Sequence, residues 1–259
     1  MNFNITNTAE RWAAFWNDVA LAMPEIWLVI AMCAVILVPF LRRDNLRLPM
    51  YTALGGLALA MAALIRERIP VDGTVVEGQP AEFISTLATS RSIFADMLVI
   101  DPFSQFFKFL LILFAALVIS QWWLLKRERP SAIDTPDFFC LLLGAVFGMS
   151  LMASANNLLM ILIATEAASL PSFALAGFAK HTRRGTEGSL KYVIFGAAAS
   201  AVSIYGMSLI YGATGTLSLD GIAASAHQAG GMSAMMAVGV MAMFAGFAFK
   251  LSAVPLHFW

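Results

Sequence analysis

The sequence has few charged side chains, which limits the classes of protein to which it can belong. Charged residues make up 12% of the 259 positions and hydrophobic residues 60%. An average soluble domain has about twice that charged fraction. Sixteen basic and sixteen acidic residues cancel, so there is no net charge to attract nucleic acid. This composition is typical of an integral membrane protein and disfavours nucleic-acid binding.

The residue patterns of common soluble enzymes are also missing. The two cysteines, Cys33 and Cys140, lie inside apolar runs and lack the spacing of paired metal ligands. The sequence contains no glycine-rich phosphate loop, no HExxH motif and no credible nucleophilic triad. We therefore predict neither a metal site nor a cofactor site on this chain, and we expect any redox centre to lie on other chains.

Long apolar runs predict an all-α, polytopic membrane protein with about seven transmembrane helices. A span needs roughly 20 mostly apolar residues. The predicted spans are 24–41, 50–65, 103–125, 136–154, 157–179, 189–211 and 233–256. Asn156 and Asn157 interrupt an apolar stretch that is too long for one crossing, which predicts a helical hairpin at this point.

These spans divide the chain into three regions. Residues 1–23 carry aromatic and aliphatic residues at helical spacing, which predicts a short interfacial helix, with a disordered tail as the alternative. Acidic residues precede the first apolar run, so we do not expect a cleaved signal peptide. Residues 24–125 hold three spans and an acidic loop at 66–102, and residues 126–259 hold the other four.

The uneven distribution of basic residues predicts the orientation of the chain. One set of loops holds most of them: Arg42, Arg43, Arg47, Lys126, Arg127, Arg129, Lys180, Arg183 and Arg184. Since basic loops stay in the cytoplasm, we expect an extracytoplasmic N-terminus and residue 259 at the cytoplasmic side of a bacterial inner membrane. The acidic loop 66–102 would then be extracytoplasmic.

Two charged residues lie where the membrane interior is predicted. Glu166 is about nine residues into its span, and Lys250 lies in an otherwise apolar segment. An unpaired charge at this depth costs about 2.5 to 3.5 kcal/mol, so each should face a partner or a water-filled cavity. A proline follows each charge five positions later, as Pro171 and Pro255, and predicts a helix break with a freed carbonyl. Broken helices of this kind are typical of ion pathways.

Simpler roles remain open for these charges. Glu166 could form a static ion pair with Lys191 or Lys250, and Lys250 could extend its ammonium to the membrane interface. Lys191 begins its predicted helix at the basic side, where an interfacial position explains it equally well, and we interpret Lys108 as an interfacial anchor. His257 follows Lys250 by two helical turns and could pass a proton toward the cytoplasm, or it could have no role.

Three stretches of the sequence carry a family resemblance. They are SANNLLMILIATEAASLPSFAL, GSLKYVIFGAAASAVSIYGMSLIYGATGT and FAFKLSAVPLHFW. In order and spacing they resemble the antiporter-like subunits of NADH-quinone oxidoreductase, respiratory complex I, and among these subunit N. Subunits L and M and the Mrp-type cation antiporters belong to the same superfamily. The resemblance runs from about Asp101 to Trp259.

The resemblance implies a proton-translocating repeat and assigns roles to three residues. It aligns Glu166 with the glutamate of the family's fifth helix, Lys250 with the lysine of its broken seventh helix and Lys191 with a lysine at the start of its sixth. Glu166 and Lys250 would form the ion pair that modulates proton uptake in a half-channel coupled to quinone reduction. The fold implied is the first repeat of an antiporter-like structure.

The resemblance also implies partners and alternatives. NADH, FMN, iron-sulfur clusters and quinone are expected on other subunits of the complex. Family members continue into a second inverted repeat, so we expect residues 126–259 to be a partial repeat, truncated after the seventh helix, and another chain to supply the rest. The alternatives are an Mrp-type sodium/proton antiporter subunit, a hydrogenase-linked or ferredoxin-linked relative of complex I, and a non-conducting scaffold remnant.

Overall fold

The computed structural model describes residues 5–41, 47–68, 90–124, 134–178 and 182–256. In these ranges the chain forms nine helices and one β-hairpin. The helices are α1 Ile5–Leu21, α2 Met23–Leu41, α3 Arg47–Arg68, α4 Pro102–Leu124, α5 Thr135–Ser154, α6 Leu158–Ala176, α7 Arg183–Thr214, α8 Leu219–Gln228 and α9 Ala234–Lys250. The hairpin consists of antiparallel strands β1 Arg91–Ile93 and β2 Leu98–Ile100.

The predicted all-α membrane fold is confirmed, and each predicted span coincides with a helix to within a few residues at both ends, except that α7 begins six residues before its predicted span and α9 ends six residues before the end of its predicted span. Two elements were not predicted. The hairpin occupies part of the predicted acidic loop 66–102, most of which lies outside the described residues, and the short helix α8 follows α7. Most of the basic residues used to predict orientation also lie outside the described residues.

Five helices in the described ranges are long and apolar enough to cross a membrane by length and composition. They are Arg47–Arg66 within α3, and α4, α5, α6 and α7. α1 and α2 meet at a 69° bend and form a sixth candidate when they are counted as one span, and α9 is apolar but shorter. The chain is therefore a multi-pass membrane protein, and the number of seven spans stays a prediction.

The interior has three apolar clusters. The largest lies between α2, α3, α4 and α5 and includes Leu28, Leu57, Ile119 and Phe139. The second lies beneath the hairpin and includes Ile93, Leu98, Ile100 and Met160. The third joins α6 and α7 through Leu158, Met207 and Ile210. The hairpin thus covers one end of the bundle, which we call the hairpin end.

The predicted turn at Asn156 and Asn157 is confirmed. α5 ends at Ser154, and the Asn157 side chain caps α6 by accepting a 2.9 Å hydrogen bond from the Leu159 amide. The backbone of Asn156 donates to Met97 of the hairpin at 3.0 Å and accepts from the Leu219 amide at 3.2 Å. This turn therefore docks the α5–α6 pair to both the hairpin and the α7–α8 connection.

Candidate functional site

Glu166 and Lys250 come together although 84 positions separate them in the sequence. Glu166 lies in the middle of α6 and Lys250 is the last residue of α9. Lys250 Nζ lies 3.7 Å from Glu166 Oε1, and the two side chains are 25% and 34% exposed. The two groups therefore form an ion pair that is too long for a good direct hydrogen bond.

Each charge of the pair is hydrogen-bonded to a serine. The Ser200 hydroxyl of α7 donates to Glu166 Oε1 at 2.6 Å. Lys250 Nζ donates to the Ser169 hydroxyl of α6 at 2.5 Å, and that hydroxyl donates in turn to the Thr165 carbonyl at 2.6 Å. Because serines satisfy part of the hydrogen-bonding capacity of each ion, the pair is held slightly apart.

A small cleft surrounds the pair. Its inner space has room for about one water molecule. Its polar lining consists of Thr165, Glu166, Ser200, Ser203 and Lys250, and its apolar lining of Leu162, Met207 and Phe247. Polar groups in such a space can hold water beside the charges, which relieves the cost of placing them in a membrane.

Glycines let the helices that carry the site approach closely. A Cβ added at Gly246 of α9 would lie 1.8 Å from the Ser203 hydroxyl of α7. A Cβ added at Gly148 of α5 would lie 2.2 Å from the Ala168 amide of α6. Small residues at such crossings are typical of helix packing in lipid. The backbone contacts therefore fix α6 against α5, and α9 against α7.

The predicted helix break at Pro171 is wrong. α6 continues through Pro171 to Ala176, although proline removes the amide that would bond to the Ala167 carbonyl. Tight packing against α5 supports the helix here. A Cβ added at Gly144 of α5 would lie only 3.2 Å from Pro171 Cγ. Loss of one hydrogen bond is thus tolerated where a neighbouring helix holds the backbone.

The helix that carries Lys250 ends before Pro255 and not at the proline. α9 ends at Lys250, five residues earlier than the proline. Ser252 adopts φ 53°, its amide donates to the Phe249 carbonyl at 2.9 Å, and the Ala253 amide donates to the Ala248 carbonyl at 2.8 Å. These two bonds form a Schellman cap, which ends a helix in the left-handed region. Lys250 therefore lies at a helix C-terminus, where the helix dipole favours a cation.

Lys191, another predicted site residue, is not part of this site. Lys191 Nζ lies 2.6 Å from Glu187 Oε1, one turn earlier in α7, and both side chains are more than half exposed. The alternative pairing of Glu166 with Lys191 is therefore wrong, and an exposed position explains Lys191. His257 lies outside the described residues.

The structure contains a second ion pair that the sequence did not predict. Lys108 Nζ of α4 lies 2.6 Å from Glu25 Oε1 of α2, and the two side chains are only 3% and 7% exposed. The interpretation of Lys108 as an interfacial anchor is wrong, because its partner lies 83 positions earlier in the sequence. Glu25 follows a proline at the start of an apolar run, and nothing in that local pattern indicates a buried carboxylate.

Comparison with known proteins gives matches over much of the chain. Residues 155–259 match the family described as "NADH:quinone oxidoreductase/Mrp antiporter, TM". NADH-quinone oxidoreductase subunit N of Rhodospirillum rubrum is 34% identical over 241 residues, which cover 92% of this chain and 45% of the relative. F(420)H(2) dehydrogenase subunit N of Methanosarcina mazei is 42% identical over 171 residues, covering 65% of this chain and 33% of the relative.

A solved structure resembles the fold. A chain of respiratory complex I from Thermus thermophilus, with bound aureothin, superposes with a TM-score of 0.68 and 31% sequence identity. The match covers 92% of this chain and 46% of that chain. The chain spans less than half the length of these relatives.

Proposed function

Because residues 155–259 belong to the NADH:quinone oxidoreductase/Mrp antiporter family, we propose that the chain is part of a membrane-arm subunit of a proton-translocating NADH-quinone oxidoreductase. It contributes a proton half-channel coupled to quinone reduction. The observation that carries this proposal is the Glu166–Lys250 pair, held 3.7 Å apart with each charge bound by a serine.

The pair provides a means of loading and unloading a proton on Lys250. At an effective dielectric constant of about 20, two unit charges about 4 Å apart attract by about 4 kcal/mol, and doubling the distance halves that attraction. A movement of α9 relative to α6 by a few ångströms therefore changes the free energy of the ammonium by roughly 2 kcal/mol. Ser169 and Ser200 stabilise the separated arrangement, in which each charge keeps a hydrogen-bond partner. Charge movement elsewhere in the complex would drive the change.

Electron transfer in this proposal takes place on other chains. NADH, FMN, iron-sulfur clusters and quinone bind to other subunits, and this chain binds none of them. Its partners are the neighbouring membrane-arm subunits and the lipid bilayer. The location is a bacterial inner membrane, with an extracytoplasmic N-terminus and residue 259 at the cytoplasmic side. Lys191 and His257 remain candidates for steps at the ends of the pathway.

The direct test is replacement of either member of the pair in the intact complex. We expect Lys250→Ala and Glu166→Ala to lower both NADH-driven proton pumping and the coupled quinone reductase rate in sealed membrane vesicles. Ser208→Ala is the matched control, because this exposed hydroxyl of α7 bonds only locally, to the Tyr205 carbonyl at 2.7 Å. Wild-type pumping in both pair variants would contradict the site assignment.

An Mrp-type sodium/proton antiporter is the second candidate, since the matched family description includes both classes. Such a subunit would use the same pair but would couple proton movement to a sodium gradient. Sodium-driven proton movement in vesicles without NADH, together with copurification of antiporter subunits, would favour it. Copurification with quinone oxidoreductase subunits and NADH-dependent pumping supports the first proposal.

A further inference from the structure

The Glu25–Lys108 pair has hydrogen-bonding capacity that the fold does not use. Glu25 Oε1 receives both the Lys108 ammonium at 2.6 Å and the Ser150 hydroxyl of α5 at 3.1 Å. Glu25 Oε2 is fully buried and has no hydrogen-bond partner within the described residues. The hydroxyl of Ser154, which is 4% exposed, is unpartnered in the same way. One carboxylate oxygen of Glu25 and the Ser154 hydroxyl therefore keep unused hydrogen-bonding capacity among the described residues.

Stability alone does not account for this pair. Removing two charges from water costs more than their attraction returns unless further hydrogen bonds satisfy the remaining positions. Apolar residues of similar size would pack α2, α4 and α5 at lower cost, and an unsatisfied buried oxygen adds a further penalty. Ionisable groups retained inside a membrane protein usually serve proton or ion binding.

The pair lies near the hairpin end, at the start of α2 and within the first two turns of α4. α1 joins this cover, because Asp18 of α1 accepts a 2.9 Å hydrogen bond from the Phe94 amide of the hairpin. The other charged side chains and the histidine described on elements around this end are all at least partly exposed: Arg11, Asp18, Arg66, Arg91, Asp96, Asp101, Asp220 and His227. Glu25 is therefore the buried acid of this end within the described structure.

We propose that Glu25 is a second proton-binding site of the chain, distinct from Glu166 and Lys250. Hydronium gives its proton to Oε2: one O–H bond of hydronium breaks and leaves water, and one O–H bond forms on Oε2, while Oε1 keeps its contacts with Lys108 and Ser150. Ser154 follows Ser150 by one turn on the same face of α5, so its hydroxyl is an acceptor on that side. The proposal does not depend on the function of the Glu166–Lys250 pair.

Carbodiimide labelling of the wild-type complex in its native membrane tests the proposal without any substitution. Dicyclohexylcarbodiimide enters lipid and reacts with protonated carboxyl groups in apolar surroundings, and peptide mass spectrometry locates the adduct. We expect an adduct on Glu25, with a lower yield when the labelling reaction is run at higher pH, because the reagent attacks the protonated carboxyl group. Asp220, exposed on α8, is the control and should carry none.

The outcomes separate this site from the site of the proposed function. An adduct on Glu25 without one on Glu166 supports proton binding at Glu25. The Glu166–Lys250 pair is then tested separately, by the proton pumping of its variants. Glu25 unlabelled at every pH overturns the proposal, whether or not Glu166 reacts.

A second measurement uses Glu25→Gln, in which the amide cannot take up a proton. Infrared spectra are recorded at low and high pH, and their difference is taken for each protein. Wild type should show a carboxylic-acid carbonyl band that Glu25→Gln lacks. The Asp220→Asn control should retain that band. An unchanged spectrum overturns the proposal, and if the variant does not assemble, the labelling result decides.

Discussion

Replacing Ser200 by alanine tests whether serines hold the Glu166–Lys250 pair apart. The Ser200 hydroxyl donates to Glu166 Oε1 at 2.6 Å and is itself 8% exposed, so alanine would remove a buried hydrogen bond to a charged group. Such a bond contributes about 1.5 to 3 kcal/mol. The carboxylate would then compensate by closing the 3.7 Å gap to Lys250. The equilibrium between separated and closed pairs should shift toward the closed pair by roughly 10- to 150-fold.

The assay is the initial rate of NADH-driven acidification of inverted vesicles, measured with a pH-sensitive dye. If separation of the pair limits the cycle, Ser200→Ala should slow pumping by up to that factor, while the amount of assembled complex on a native gel stays the same. Ser200→Thr retains a hydroxyl and should recover most of the rate. Pumping by Ser200→Ala at the wild-type rate, with normal assembly, refutes the reasoning, because the serine would then not control the pair.

Two further predictions concern packing and membrane contact. Gly246→Ala should reduce assembly of the complex on a native gel, because the added Cβ would lie 1.8 Å from the Ser203 hydroxyl. Overpacking of this kind costs about 1 to 3 kcal/mol. The control Gly188→Ala, whose Cβ meets nothing within 4 Å, should assemble normally. Trp16 is 61% exposed on α1, so a spin label at Trp16→Cys, in a background without other cysteines, should report the boundary between headgroups and acyl chains. A label in bulk water would contradict an interfacial α1.

The helices could be predicted because the membrane imposes a length that the sequence shows directly. Apolar runs located the helices, and a pair of asparagines located the α5–α6 turn, since neither depends on knowledge of distant contacts. The meeting of Glu166 with Lys250 was one of two pairings open from the residues, and the family resemblance favoured it. The number of crossings depends on how three helices are counted, because α1 and α2 form a bent pair and α9 is shorter than the other apolar helices.

The remaining features depend on contacts between residues far apart in the sequence. Lys108 looked interfacial because its buried partner, Glu25, belongs to another helix. Pro171 predicted a helix break because the local sequence does not show that this proline packs against Gly144 of another helix. The end of α9 is set by the backbone of Ser252 in the left-handed region, where a glycine would have been an easier signal to recognise.

The docking of Asn156 has a consequence for the order in which the chain folds. Its backbone amide and carbonyl bond to Met97 and Leu219, each about sixty residues away along the chain in opposite directions. Closing loops of that size lowers the conformational entropy of the chain, by an amount that grows with the logarithm of loop length. This entropy is lost before the new contacts stabilise the structure. The α5–α6 pair, whose turn is local, can form early at little entropic cost. We therefore expect the hairpin and the α7–α8 connection to dock onto this turn after the α5–α6 pair has formed.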